Sequence, residues 1–229
     1  MKMTKSLTCT LAATAIAASA AFAPVANAEV SASVGVANMY LWRGYDLGDG
    51  SAAVSGDITV SGAGFYAGIW GTSGDDSLGS EYDLYVGWGG EFGPVSVDLS
   101  VLSYVYPDAT YDTLIDPLFA YIPARDDTVG DLSEAILSVG IGPVAVTYYD
   151  NIAGGPGYSY YTIAGSIGDF GILVGQHHND GGENDDPVHL DLSYSYNDNL
   201  SFTISKFIED EEGVDDNMQF LVSYSLPIE

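Results

Sequence analysis

The sequence predicts an all-β fold, a transmembrane antiparallel β-barrel of about 12 strands that follows a cleaved signal peptide. Three observations lead to this prediction. Apolar and polar residues alternate along most of the chain, the breaks between these segments are alternately short and long, and the chain begins with a secretory leader. Strict alternation is typical of strands with one apolar and one polar face. Short turns at one end and longer loops at the other are the arrangement of outer-membrane barrels.

The leader has the three parts of a signal peptide. Two lysines precede an apolar, alanine-rich run, and small residues around Ala28 form a cleavage site, with a cut after Ala23 as the alternative. We therefore divide the chain into a signal peptide, residues 1–28, and an outer-membrane barrel, residues 29–229. The only cysteine, Cys9, lies in the leader, so we expect neither disulfides nor thiol chemistry in the mature chain.

The charge of the chain is strongly acidic. Removing the leader leaves three basic residues against 32 acidic ones, a formal charge of −29. This charge excludes nucleic acid as a natural partner, because phosphate contacts need lysine and arginine. Such a charge is common in disordered chains, but hydrophobic residues make up 47% of this one, which favours a folded protein.

The alternation divides the chain into strands. In VSVDLSVLSYVY, residues 95–106, valine and leucine occupy one face while serine, aspartate and tyrosine occupy the other. The segments with this pattern are 30–43, 51–61, 64–72, 81–91, 94–106, 132–141, 143–151, 158–168, 170–178, 188–196, 199–208 and 218–227.

The breaks between these strands fall into two sets. Five are short, such as SGAG at 61–64, and six are longer and mostly acidic, such as SGDDSLGS at 73–80. We expect the short turns and both termini to face the periplasm and the long loops to face outward. A soluble, secreted all-β sandwich or barrel is the alternative; it explains the alternation but not the rhythm of the breaks.

Four motifs occur in a fixed order over residues 38–108: NMYLWRGYD, GFYAGIWG, EYDLYVGW and YVYPD. Together they resemble the TorF porin family, a proteobacterial group of small barrels. The resemblance implies location in the bacterial outer membrane. Two features depart from such proteins: YDLGDG follows Arg43-Gly44, and the chain ends SLPIE. An aromatic residue usually ends these barrels, where the barrel assembly machinery reads it.

Phase along the strands predicts which residues line the lumen. If the apolar faces contact lipid, the opposite faces enclose the lumen; a basic residue facing lipid at mid-membrane would cost about 2–4 kcal/mol. The candidate pore-lining residues are Arg43, Asp57, Glu81, Asp83, Asp98, Glu134, His189 and Asp191.

Arg43 stands nearly alone as a basic residue, so we predict that it is an internal counter-ion for lumenal carboxylates. Asp57 on the next strand is the first candidate partner, with Glu81 or Glu134 as others. A planar guanidinium can hold two carboxylates at once. In the alternative interpretation, Arg43 lies at a strand end and faces water.

A barrel of 12 strands falls between small barrels filled by side chains and large open channels, so the sequence predicts a narrow pore. Its carboxylates should concentrate cations. We therefore expect passive, cation-preferring diffusion of small solutes or ions, with no enzymatic activity. The alternatives are a non-conducting structural or adhesive barrel and an outer-membrane hydrolase, for which only His177, His178 and His189 are available and no G-x-S-x-G motif occurs.

The remaining expectations concern the loops and the surface. We expect no cofactor and no specific metal site, only weak association of divalent cations with acidic loops such as 179–187 and 209–217. Membrane lipid and lipopolysaccharide are the expected surroundings. The apolar segment 107–131 is expected either to fold inward as a constriction or to contact a partner. Lys206 falls on an apolar face, either because it snorkels to head groups or because a bulge shifts the phase.

Overall fold

The computed structural model describes residues 28–107, 128–155, 157–180, 186–209 and 217–228. In these ranges the chain forms 14 β-strands: β1 (Glu29–Ala37), β2 (Leu41–Trp42), β3 (Tyr45–Asp46), β4 (Ala53–Gly62), β5 (Phe65–Asp75), β6 (Gly79–Phe92), β7 (Val95–Val105), β8 (Leu132–Ile141), β9 (Val144–Ala153), β10 (Tyr158–Ile167), β11 (Phe170–Asn179), β12 (Val188–Ser195), β13 (Leu200–Glu209) and β14 (Gln219–Ile228).

Twelve of these strands form one closed barrel in which every neighbouring pair is antiparallel. β4 to β14 pair in chain order, and β1 closes the barrel by pairing with both β14 and β4. Closure leaves no unpaired sheet edge, the arrangement that a strand wall needs in lipid. The predicted fold class is confirmed, and the bounds of 11 of the 12 predicted strands agree with the structure to within three residues.

The predicted C-terminal bound of the first strand, 30–43, is wrong, because the strand ends six residues earlier. β1 ends at Ala37. The Asn38 backbone N–H still donates to the Val222 carbonyl at 3.2 Å, and the Asn38 side chain takes over the other contacts with β14. Its Nδ2 donates to the carbonyl of Phe220 at 2.9 Å, and its Oδ1 accepts from the backbone N–H of Val222 at 2.6 Å. Because the side chain satisfies these groups of β14, the backbone is free to leave the barrel wall.

After Asn38 the chain turns into a small hairpin, residues 40–46, which we call the lumen hairpin. β2 and β3 pair within it, and the two residues between them, Arg43 and Gly44, have φ values of 48° and 90°. Positive φ at both central residues is the signature of the type I′ turn, the tightest hairpin connection. Alternation alone does not reveal such a turn, because the residues on both sides of it are apolar or aromatic.

The connections between barrel strands differ at the two ends, which we call the short-turn end and the long-loop end. The five short-turn connections have two to four residues. At the long-loop end, β5 and β6 are joined by only residues 76–78, fewer than the predicted loop 73–80. The Asp75 carboxylate closes this turn by accepting from the backbone N–H groups of Ser77 and Leu78 at 2.8 and 2.7 Å.

The outer surface of the barrel carries an apolar band bordered by aromatic residues. On β6 the outward positions run from Tyr82 to Phe92, ten residue steps that span about 33 Å along the strand. A strand tilt of about 40° reduces this to a height of about 25 Å, that of the apolar band of outer-membrane barrels. Exposed aromatic residues at the two borders are Tyr82 and Tyr161 toward the long-loop end, and Phe65, Phe92, Phe170, Tyr194, Tyr196 and Tyr224 toward the short-turn end.

Lys206 lies on this outer surface near the long-loop end of β13, where it pairs with Leu190. The register shift between β12 and β13 falls beyond it, at Val188 and His189. The bulge therefore does not change the phase of Lys206, and a side chain extended toward head groups fits its position.

Several sequence-based expectations fall outside the described residues: the signal peptide, most of segment 107–131, and much of the two acidic loops. Within the described part of the chain, no helix is long and apolar enough to cross a membrane.

Opposite faces of β8 offer a test of the outward-facing band. Leu137 lies in the middle of the strand and is 43% exposed on the outside, whereas its neighbour Ser138 faces inward, opposite Asp98. We expect Leu137→Lys to lower the free energy of unfolding by about 2–4 kcal/mol in lipid vesicles, because the charge meets hydrocarbon. Ser138→Lys should change it by less than about 1 kcal/mol, since the lumen carries carboxylates. Equal effects in denaturant titrations would contradict the assignment of faces.

Candidate functional site

The lumen hairpin lies inside the barrel. Tyr40, Leu41, Trp42 and Arg43 have at most 7% of their surface exposed, although they belong to a connection between strands. Their hydrogen-bond partners on the barrel wall are at the long-loop ends of β6, β7, β8, β10 and β11. The hairpin therefore occupies the long-loop half of the lumen.

Arg43 is held by Glu134 of β8. Nη1 and Nη2 donate to Oε1 and Oε2 at 2.9 and 2.6 Å, in the bidentate geometry that makes guanidinium–carboxylate pairs strong. Tyr104 donates a further hydrogen bond to Oε2 at 2.8 Å. Both charged side chains are at least 97% buried. Of the three candidate partners of Arg43, the structure brings Glu134 to it, while Asp57 accepts a hydrogen bond from Ser33 instead.

Aromatic rings surround the guanidinium. Its Cζ lies 4.5 Å from the ring centroid of Trp42, and 4.6 Å from those of Tyr149 and Tyr160. Contacts of this kind stabilise a desolvated cation, because the ring face is the negative side of its quadrupole. Nη1 also donates a hydrogen bond to the Tyr158 hydroxyl at 3.2 Å. These rings make the surroundings of the ion pair largely free of water.

His177 fixes the turn of the lumen hairpin. Its Nε2 lies 2.9 Å from the Arg43 carbonyl and its Nδ1 lies 2.9 Å from the Tyr158 hydroxyl. Because a carbonyl only accepts, Nε2 carries the proton, and Nδ1 accepts from Tyr158. His178, the next residue, contacts Asp186 and Asp180 instead. His177 and His178 point to opposite faces of β11 and have none of these hydrogen-bond partners in common.

His189 lies against the other side of the turn and is fully buried. Its Nδ1 contacts Asp191 at 3.0 Å and its Nε2 contacts the Tyr160 hydroxyl at 2.6 Å. Gly44 packs on it so closely that a Cβ there would lie 2.9 Å from the His189 ring and 2.8 Å from Phe207. Only glycine fits both this space and the φ of 90°.

The predicted lumenal residues separate into two groups. Near the long-loop end, Arg43, Glu81, Asp83, Glu134, His189 and Asp191 are all buried. Deeper in the barrel, Asp57 and Asp98 are half-buried, and Asp98 accepts from Tyr66 at 2.8 Å. All lie on the side of the wall opposite the apolar band, while their role in lining a pore stays a prediction. In the described ranges, no group of three or more His, Cys, Asp or Glu side chains is placed to hold a metal ion.

The sequence analysis missed the aromatic residues that fill this half of the lumen: Tyr40, Trp42, Tyr149, Tyr158 and Tyr160. Some carry a usable signal, because Tyr158 and Tyr160 share their phase with Thr162 on the inward face of β10. A lumen that contains only water would have no need of large rings at such positions. Tyrosines on the polar phase near one strand end therefore indicate a filled lumen.

Removal of the guanidinium should destabilise the barrel. We expect Arg43→Ala to lower the free energy of unfolding by about 3–5 kcal/mol, because Glu134 then remains buried without its counter-charge. The double variant Arg43→Met/Glu134→Gln removes both charges and should recover more than half of this loss. Urea titrations of refolded protein in vesicles measure the cycle. Additive effects of the single changes would show that the pair is not coupled.

Two glycines with positive φ allow the packing of the turn to be separated from its backbone conformation. Gly44 has a φ of 90° and contacts His189, whereas Gly50 has a φ of 77° and open space around it. Both alanine variants carry the cost of the left-handed conformation, about 1–2 kcal/mol. Gly44→Ala should cost about 1–3 kcal/mol more, because its methyl group overpacks the lumen. The free energy of unfolding is measured for both variants by thermal or urea unfolding. If both lose the same amount, Gly44 does not pack against His189.

Comparison with curated proteins finds no match. Among solved structures, the chain is similar to a KdgM porin, with 9% identity and a TM-score of 0.48, over 88% of this chain and 99% of that one. It is also similar to outer membrane phospholipase A from Escherichia coli, with 13% identity and a TM-score of 0.43, over 85% of this chain and 88% of that one. Residues 20–167 match the model of a family described as a bacterial protein of unknown function (Gcw_chp). Since the match covers more than half of the chain, this 12-stranded barrel with its inward-folded hairpin belongs to the Gcw_chp family.

Proposed function

We propose that the barrel is a narrow, passive channel of the bacterial outer membrane that prefers cations. The observation that carries this proposal is the charge of the inward face. The six carboxylates predicted to be lumenal lie there, from Asp57 and Asp98 in the deeper part to Glu81, Asp83, Glu134 and Asp191 around the lumen hairpin. Arg43 is the one arginine or lysine on the inward face of the described strands and their hairpin.

This imbalance acts through the local potential. Low-dielectric walls focus the field of the lumenal charges, so cations are concentrated and anions are repelled. Because Glu134 neutralises the Arg43 guanidinium, this arginine does little to make the electrostatic potential of the lumen less negative. The half-exposed Asp57 and Asp98 are the residues best placed to act on a hydrated ion.

Location in the outer membrane is part of the same proposal. It is supported by the apolar band about 25 Å high, by the aromatic residues at its borders and by the secretory leader of the sequence. The resemblance to the TorF porin family favours the same location. Lipid, lipopolysaccharide and the barrel assembly machinery are then the partners.

The hydrogen bonds of His189 disfavour a serine hydrolase. A serine nucleophile needs a histidine within hydrogen-bond reach, but both ring nitrogens of His189 are engaged, by Asp191 and Tyr160. The hydroxyls of Ser193 and Ser205 have no hydrogen-bond partner. The buried His189–Asp191 pair thus supports a role in positioning the lumen hairpin rather than in catalysis.

The second candidate is a non-conducting structural or adhesive barrel. The observation that favours it is the lumen hairpin itself, whose buried residues Tyr40 and Trp42 pack against Tyr158 and Tyr160 across the long-loop half of the lumen. In a lumen closed in this way, the carboxylates would be fixed internal charges of the barrel and not part of a path for ions.

Ion preference can be measured as a reversal potential across a planar bilayer in a salt gradient. We expect the sign that indicates cations, and we expect Asp57→Asn and Asp98→Asn each to reduce the cation-to-anion permeability ratio by roughly twofold. Asp198→Asn removes the same charge from an exposed turn at the short-turn end and should leave the ratio unchanged. Anion preference, or equal effects of all three changes, would contradict the proposal.

Deletion of the lumen hairpin distinguishes the two candidates in the same bilayer experiment. Ala37 and Ala53 pair directly across β1 and β4, so a two-residue Asn-Gly turn can join them in place of residues 38–52. A channel constricted by the hairpin should conduct more after the deletion. If neither the full chain nor the deletion variant conducts, the non-conducting barrel is the better description.

A further inference from the structure

The buried carboxylates around the lumen hairpin are not all balanced. Glu134 is paired with Arg43, and Asp191 contacts the imidazole of His189. None of the salt bridges in the described part of the chain reaches Glu81 or Asp83. These two carboxylates are only 1% and 5% exposed, and a buried charge without a counter-charge is costly.

Glu81 and Asp83 lie side by side on the inward face of β6. They are two positions apart, so their side chains point to the same side of the wall. Thr72 of β5 pairs directly with Glu81 and also faces inward, with 6% of its surface exposed. Directly paired residues have Cβ atoms about 4.5–5.5 Å apart. The three side chains therefore border one small space in the wall of the lumen.

Each of the three side chains directs an unused oxygen into these buried surroundings. Oε1 of Glu81, Oδ1 of Asp83 and Oγ1 of Thr72 are shielded from solvent and have no hydrogen-bond partner. The second carboxylate oxygen of Glu81 accepts from the Tyr40 hydroxyl at 2.6 Å. Buried polar atoms are nearly always satisfied, so three unused oxygens at neighbouring positions indicate a ligand.

The chemistry of these oxygens selects the ligand. Carboxylate and hydroxyl oxygens are hard donors, and two carboxylates are balanced by one divalent ion. Mg²⁺ retains several waters in near-ideal octahedral geometry, whereas Ca²⁺ accepts irregular sets of protein oxygens. Three oxygens from side chains on two strands form an irregular set, which favours the larger ion, with water completing its coordination shell.

We propose that Thr72, Glu81 and Asp83 form a binding site for a hard divalent cation of the calcium class, inside the barrel beside Tyr40. The proposal rests on the proposed cation-preferring lumen, through which the ion reaches the site. A cation here also holds the carboxylate that accepts from Tyr40. Occupancy of the site therefore stabilises the packing of the lumen hairpin.

The test is calorimetric titration of the refolded, chelator-treated barrel with CaCl₂ at pH 8 in detergent. Because we also expect the acidic loops to attract calcium weakly, the comparison between variants is decisive. We expect one saturable site in the full chain, and at least roughly tenfold weaker binding in Glu81→Gln and in Asp83→Asn, since each removes a charged ligand. Asp198→Asn, a matched change in the exposed turn at the short-turn end, should bind within about twofold of the full chain.

Thr72→Val provides a variant of the same shape that keeps both carboxylates, and circular dichroism verifies the fold of every variant. It should weaken calcium binding without abolishing it, because one neutral ligand is lost. MgCl₂ and NaCl should compete poorly with CaCl₂. Calcium binding by the Glu81 and Asp83 variants that is as tight as in the full chain, or the absence of a saturable site at pH 8, would overturn the proposal. A proton shared between the two carboxyl groups would then reduce their charge instead.

The outcomes for the site and for the channel are distinct. Cation-selective conductance without the calcium site would remove this inference and leave the proposed function intact. A calcium site that depends on Glu81 and Asp83 in a barrel that does not conduct would instead support the non-conducting candidate, with the ion as a structural part of a closed lumen.

Discussion

The ion pair between Arg43 and Glu134 is the interaction on which the interior of the barrel depends. It joins Arg43, in the connection between β1 and β4, to Glu134 of β8, 91 positions later in the chain. The pair explains why a chain with so few basic residues places one of them in buried surroundings. Without the carboxylate, desolvation of the guanidinium would oppose inward folding of the lumen hairpin; with it, and with the rings of Trp42, Tyr149 and Tyr160, the charge is satisfied away from water.

Around this pair the two halves of the lumen have different physical character. The long-loop half is packed with rings and buried polar groups, and the network that joins Tyr158, His177 and the Arg43 carbonyl fixes the position of the turn. The deeper half carries half-exposed carboxylates hydrogen-bonded to hydroxyls, as in the contact between Tyr66 and Asp98. The selectivity that we propose and the closure of the second candidate function would therefore depend on different depths of one barrel.

The strands could be predicted from the sequence because a residue period of two is a local property. Strand β8, for example, has exactly the predicted bounds 132–141. The path of residues 38–52 could not be predicted in this way, since it depends on the Asn38 contacts with β14 and on positive φ at Arg43. Phase identified the carboxylates around Arg43, but Glu134 becomes the partner only because the hairpin turns inward. The aromatic filling is a property of the closed barrel, in which Tyr40 and Trp42 of the hairpin meet rings from β9 and β10.

The three tryptophans of the chain lie in two environments, the filled interior and the outer surface. Trp42 belongs to the lumen hairpin, Trp70 lies on the lumen wall 6.1 Å from the ring of Tyr40, and Trp88 shares the outward phase of Val86 and Phe92. Each region of the barrel thus contains its own intrinsic fluorophore. Brominated acyl chains would quench the emission of Trp88, while changes in the other two would follow the interior, so the wall and its contents can be observed separately without an added label.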